Sequence, residues 1–438
     1  MFIERSTAKI RGVRTLFVLL GLVPCGAVAA WALVRHAPAH RDAVRRQAEQ
    51  VLGMPVTIGA IEHLRPGALR LRDCVLAAAD GGLLLCVPEV EVETSSDEVR
   101  LRLPAVVCKP AAVAAVARVA RAWLAEPVRF SKAWVIDVGA LTWDLAGSES
   151  ARHDARSPGG PQAFPVRIEC VAIGDSRAVR LHRIDREQDG DEVRVIATAG
   201  GPRRYELRGQ VQTPIPWAVL REVVPPSLGS DLLGPAALVS GVVEASTTGG
   251  GWAGVATGLV EGMRLEELAT GPRHQLEGSL TIEVERLEWE DDRIVAVAAT
   301  ASAVRGMVAQ SLLGGLVTTC GCRPGPAFQS LSGEPLRAFD DLEVQVAIDG
   351  RGLRLAAGEN RNGSLARRQG LSLIDEPAGL VPLDRLAWLV GPADAPTVPA
   401  SAASSWLMRM LPPAAGQPRG GESTAIRPPD QGRRQADF

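Results

Sequence analysis

The chain has 438 residues, 46% apolar and 22% charged, with a formal net charge of −2, a balance that excludes a strongly basic nucleic-acid binder. Arginine carries nearly all the positive charge, the lysines being Lys9, Lys109 and Lys132. With one tyrosine and 4% aromatic residues, base-stacking platforms have little to work with.

Thr15 to Val34 (TLFVLLGLVPCGAVAAWALV) carry no charge, and twenty apolar residues in a helix reach roughly 30 Å, the thickness of a bilayer's hydrocarbon core. Arg5, Lys9, Arg11 and Arg14 precede them, opposed only by Glu4, which predicts a cytoplasmic basic stub at 1–14 and a transmembrane anchor at 15–35. Ala27, Val28 and Ala29 also resemble a signal-peptide cleavage site. Both readings export the remaining four hundred or so residues, enough for two or three domains or one elongated one.

The spacing of Val44, Ala48 and Leu52 predicts a short helix leaving the membrane, stopped by Gly53. The period then changes to two. Val56 and Ile58 open a strand, Arg65-Pro66-Gly67 turns the chain, and Leu69-Arg70-Leu71-Arg72 continues it. Leu83 to Val87, Glu89-Val90-Glu91-Val92-Glu93 and Val99-Arg100-Leu101-Arg102-Leu103 follow. Such alternation predicts a sheet with one apolar and one wet face. Its candidate apolar positions are Leu69, Leu71, Val90, Val92, Leu101 and Leu103.

Pro110 opens an alanine-rich helix to about Ala125. Strands at 134–136 and 141–143 complete an N-terminal β region over 40–145, and Gly147 to Gln162 reads as a loop. A β-rich continuation over 164–375 has strands near 165–172, 177–184, 192–198, 204–212, 237–246, 251–259, 278–290, 293–300, 344–348 and 353–355. Helices are expected at Thr213 to Val224 and Gly306 to Val317. A helical cap at 376–411 includes Leu383 to Val390 and a second apolar segment at 405–411. Trp406, Leu407, Met410 and Leu411 there suit either a cap on the sheet or an interfacial contact. The tail at 412–438 lacks apolar periodicity and is expected to be disordered.

Seven cysteines are present, without a zinc-type spacing. Cys74 and Cys86 flank a Gly81-Gly82 turn and are placed either to meet across a hairpin or to stay as small buried thiols. Six histidines show no HExxH, and no Gly-x-Ser-x-Gly, Walker or GxGxxG motif occurs. Glu288 to Asp292 reads as a solvated turn, His182 and Asp185 lack a partner serine, and Asn362-Gly363-Ser364 reads as a turn. These features predict neither an enzyme nor a cofactor or metal site.

Several phrases in residues 1–145 resemble AsmA-like proteins, relatives of TamB and the bridge-like lipid transfer group. They are the anchor and helix ending at Gly53, the Pro55-Val56-Thr57-Ile58-Gly59 strand, Pro66-Gly67-x-Leu69-x-Leu71, the Asp80-Gly81-Gly82 turn before Val90 and Val92, and KAWVIDVGALTW from Lys132 to Trp143. The resemblance implies an elongated twisted sheet whose apolar concave face holds acyl chains, with a role in envelope lipid homeostasis or outer-membrane assembly.

The expected fold is therefore mainly β with a few helices. An N-terminal transmembrane helix is followed by an elongated, twisted, largely antiparallel sheet, either an open trough or sandwich-like. About eighteen strands at ~4.8 Å give a sheet about 85 Å long. The expected location is the bacterial inner membrane with the bulk periplasmic. The expected partners are that membrane, lipid acyl chains and other envelope proteins, with no nucleic acid. The competing reading is a non-catalytic scaffold with a closed β core.

Overall fold

The computed structural model describes residues 7–36, 38–78, 80–126, 130–145, 163–185, 190–198, 203–224, 233–248, 251–267, 275–291, 293–329, 335–390 and 402–412. The expected loop at 147–162, the first six residues of the basic stub and the tail beyond 412 lie outside them. Helix α1 (Thr7–Phe17) runs through a π-helical turn (Val18–Leu22) into α2 (Val23–His36). The turn lies just before Pro24, whose missing N–H interrupts the regular ladder. The stretch Arg11–Ala30 is long and apolar enough to cross a membrane, and none of it is buried in the protein. That length and composition suit a membrane anchor or a signal sequence. Helix α3 (Pro38–Leu52) follows and stops at Gly53, whose φ of 71° is the left-handed value that favours glycine.

Among the described residues, twenty strands then join one sheet. They are β1 (Val56–Thr57), β2 (Ala60–Arg65), β3 (Ala68–Ala77), β4 (Leu83–Thr94), β5 (Glu98–Leu103), β6 (Val106–Cys108), β7 (Ala133–Trp143), β8 (Phe164–Ile173), β9 (Ser176–Arg183) and β10 (Glu192–Thr198). The series continues with β11 (Arg204–Pro216), β12 (Leu238–Thr248), β13 (Gly251–Arg264), β14 (Leu276–Glu290), β15 (Arg293–Ala309), β16 (Arg323–Pro324), β17 (Leu336–Asp349), β18 (Gly352–Ala357), β19 (Ser364–Arg368) and β20 (Leu371–Asp375). From β7 to β15 every strand pairs antiparallel with the next, so the two expected β regions form one meander. Three places in the order hold two short strands end to end: β1 with β2, β5 with β6, and β18 with β19. Seventeen ranks remain, a contour of roughly 75 Å at ~4.8 Å per rank.

One step breaks the antiparallel pattern. Strands β5 and β6 run parallel to β7, and a parallel pair needs a crossover, because the chain must return to the starting end. Helix α4 (Pro110–Ala125) makes that return and packs against β4, β9 and β10. Its buried Trp123 and Leu124 join Cys170, Val179 and Ala197 of the sheet. Arg177 fastens the helix end by donating hydrogen bonds to the carbonyls of Trp123 and Phe130, with its guanidinium carbon 3.9 Å from the centre of the Trp123 ring.

Two expected helices are shorter than the sequence suggests. Strand β11 continues through Ile215 and Pro216, which pair with Val239 and Leu238, leaving only α5 (Trp217–Leu220) as helix. Strand β15 likewise runs on to Ala309, because Gly306 to Ala309 pair with Phe339 to Leu336 of β17. Helix α6 (Gln310–Cys320) starts only after that pairing ends. In both cases cross-strand hydrogen bonds outcompete a weak helical period. Strands β6, β16, β19 and β20 were not anticipated. The remaining helices are α7 (Pro326–Gln329), α8 (Leu383–Val390) and α9 (Ala402–Met410). Met410 and Leu411 are buried, and α9 contacts α8 and β15, as a capping segment does.

Replacing Arg177 by Gln removes a charged double donor and a cation–π contact, so it should cost about 2 kcal/mol. Hydrogen exchange should accelerate first at the C-terminal turn of α4, and unchanged exchange there would refute the clasp.

Candidate functional site

Register brings one residue from each successive rank into a single line across the sheet. It runs through Leu69, Val92, Leu101, Ile136, Ile168, Leu181 and Val193. Beyond Val193 it passes Gly209, Val243, Ala256, Leu287, Val297, Ile348 and Leu353. The line is apolar over fourteen consecutive strands because the paired residues come from the apolar phase of each strand's alternation, and the bulges, as between Val211 and Ile215 or Val284 and Arg286, fall off the line. The neighbouring line on the opposite face alternates in charge through Glu62, Arg70, Glu91, Arg102, Asp137 and Arg167. Arg70 donates to Glu91 at 2.7 Å and Arg167 to Asp137 at 2.6 Å, and the Glu91 hydrogen bond raises the pKa of Arg70. Opposite charges placed directly across strands hold this face to water and reinforce the register.

The six positions named from the sequence lie on the apolar side. Leu69 faces Val92, Leu71 faces Val90, Val92 faces Leu101, and Leu103 sits beside Val138. Five of them, all but Leu69, belong to a packed cluster with Val44, Ala48 and Leu52 of α3. This end of the face is therefore covered, and a charge at Val92 tests core packing as much as any ligand.

The far end is covered as well. Phe339, Leu353, Leu373, Ile374 and Val381 are each 2% exposed or less, and they form one core with Leu312, Leu316 and Val317 of α6 and Leu383 and Leu386 of α8. The backbone of Leu353 exchanges both hydrogen bonds with Val381, and Pro324 pairs with Ile374 of β20. These segments guard the sheet's distal edge against further pairing. The entirely buried Arg337 is held in this core by donating to the carbonyls of Ala327 and Phe328.

Between these cores, over β9 to β15, the apolar side is only partly covered. Leu181 is 37% exposed, and Val193, Leu207, Val211, Val243, Ala256, Val284, Leu287 and Val297 are neither buried nor members of a packed cluster. Its floor is shallow in side chains. Gly241 and Gly258 face one another, and a Cβ on Gly258 would lie 2.2 Å from the Ser240 carbonyl oxygen. Trp289 lies across Gly254, where a Cβ would come 2.5 Å from its ring. Trp252, 38% exposed, stands 6.5 Å from Tyr205 at the hairpin end of the same face. The sequence reading missed this window, although the alternation in Val193-Arg194-Val195 and Val243-Glu244-Ala245 was available to find it. A depression of about 650 Å³ near Gly241 and Gly258 is lined mainly from the wet face, by Gln210, Gln212, Thr257, Glu283 and Glu285.

The polar residues considered as chemistry are accounted for structurally. Asp185 pairs with Arg183 at 2.6 Å, Glu288 pairs with Arg286, and Asn362 has the positive φ of a turn. Among the described residues no three His, Cys, Asp or Glu side chains are placed to hold a metal. Cys74 lies opposite Val87 and Cys86 opposite Val75, one step out of register, and both are free thiols. No protein-family model, curated protein or solved structure matches this chain.

Burial pushes the Cys74 and Cys108 thiols up to about 11, and those of Cys170 and Cys322 up to about 12. The folded state thus keeps protons that unfolded thiols lose near their ordinary value of 9. Their contribution to stability is intact below pH 9 and declines as pH rises towards 11–12. Urea midpoints measured across that range should fall, and a flat profile would contradict the assigned burial. Val243→Asp in the window should cost about 1–2 kcal/mol, whereas Val90→Asp in the packed cluster should cost about 4 or more. Equal losses in paired denaturation curves would mean that the window is ordinary core.

Proposed function

We propose that this chain is a membrane-anchored, non-enzymatic protein of the bacterial envelope that binds lipid acyl chains on the apolar side of its sheet, for lipid transfer or outer-membrane assembly. The observation that carries this reading is the unbroken apolar line across fourteen strands with its partly uncovered middle, joined to a helix of membrane-spanning length. Such a surface removes methylene groups from water at about 0.8 kcal/mol each, and it needs no polar recognition residue. The AsmA-like phrases in residues 1–145 point the same way. The basic residues before the apolar helix favour a cytoplasmic N-terminus, and with it a periplasmic sheet.

A scaffold that binds another envelope protein is the second reading. It draws on the packed cores at both ends of the face, which leave a window narrow enough for a partner to cover. Purification of the full chain in mild detergent, with extraction and mass analysis of bound lipid, separates the two. Lipid is expected with the wild type, and the double variant Val243→Asp/Leu287→Asp should retain at least tenfold less while keeping its melting transition. A lipid-free wild type whose window is shielded by a co-purifying protein would replace this reading with the scaffold.

A further inference from the structure

We propose that the apolar window over β9 to β15 is a closed-ended cradle holding one two-chained amphiphile at a time, and not a stretch of a continuous conduit. The inference rests on the lipid-binding reading and limits it.

Both ends of the window are stopped. On the anchor side α4 seats Trp123 and Leu124, 3% and 4% exposed, in one cluster with Ile168, the line's residue on β8, and reaches Val179 and Ala197 of β9 and β10 only off the line, and Arg177 fastens the helix there. On the far side the line runs into the core of Phe339, Leu353 and Leu373, each 2% exposed or less. A chain sliding along the face would have to displace one packed body or the other.

The distance between the stops gives the size of the occupant. Seven strands at ~4.8 Å span about 29 Å, close to the ~30 Å thickness of a bilayer's hydrocarbon core. That thickness is two acyl chains end to end, so the window accommodates one diacyl lipid with its chains splayed in opposite directions along the line. The polar end then belongs near the middle of the window. There Tyr205 of β11, Trp252 of β13 and Trp289 of β14 stand toward the hairpin end of the face. Tyrosine and tryptophan suit a boundary with one apolar and one wet side. The facing glycines at 241 and 258, where the nearest atoms are backbone, remove side-chain bulk beneath this point.

The test uses the full chain in mild detergent, with native mass spectrometry and a diacyl phospholipid bearing a photoactivatable diazirine in one acyl chain. One lipid per chain is expected, with adducts at Val193, Val243 and Leu287 and at least tenfold fewer at Leu71 and Leu353. Arg177→Gln should release the anchor-side stop and raise labelling at Ile168 and Val179, which α4 covers, by threefold or more. Two or more lipids per chain, labelling at Leu71 or Leu353 equal to that at Val243, or no response to Arg177→Gln would overturn the cradle while leaving lipid binding in place. Absence of both lipid and adducts would bring down the lipid-binding reading itself. A dimer that shields the window would do the same, with a second copy as the occupant.

Discussion

Cross-strand register is the constraint on which the rest of this structure depends. Side chains alternate faces at every residue, so a slip of one position anywhere between β3 and β18 would carry the following apolar residues to the wet side. Two complementary interactions resist that slip. The apolar line removes its own area from water, and the alternating line of Glu62, Arg70, Glu91, Arg102, Asp137 and Arg167 places opposite charges against each other. A slip would bury those charges as it exposed the valines and leucines, so each face disfavours the error of the other.

A single sheet cannot shield both its faces, and here the protein spends its helices on the ends of the apolar side. Helices α3 and α4 cover the ranks nearest the N-terminal apolar helix, and α6 and α8 cover the last ones. The middle ranks are covered only in part, Val239, Val260, Ile282 and Ala301 joining the far core, and their uncovered stretch is rich in glycine and alanine, which reduces the apolar area presented to water there. The lone parallel step has a direct structural consequence. It obliges the chain to cross the sheet, and the crossing helix closes one end of the window. Arginine serves two roles in this arrangement: exposed in the charge line, and desolvated as Arg177 and Arg337, where carbonyl oxygens replace water.

Most of the strands are legible in the residues because strict period-two patterns such as Glu89 to Glu93 have one reading. The helix ends at 213–216 and 306–309 were not legible. Apolar runs there fit either period, and only the partner strands Leu238–Thr248 and Leu336–Asp349 decide between them. The pairing of Cys74 with Val87, which leaves Cys86 opposite Val75, likewise follows from the β3–β4 register, and no spacing count foresees it. The candidate wall positions are covered in the fold. Leu71, Val90, Val92, Leu101 and Leu103 alternate as cleanly as the window residues, yet α3 packs against them.

By itself the sequence determined an apolar N-terminal helix of membrane-spanning length, a mainly β body, and which side chains share a face, because these depend on local periodicity and on the length of an apolar run. Only the tertiary structure decided which part of the oily face stays uncovered and how far it extends. Coverage depends on where distant helices come to rest on the sheet, and that is set by pairings between residues far apart in the chain.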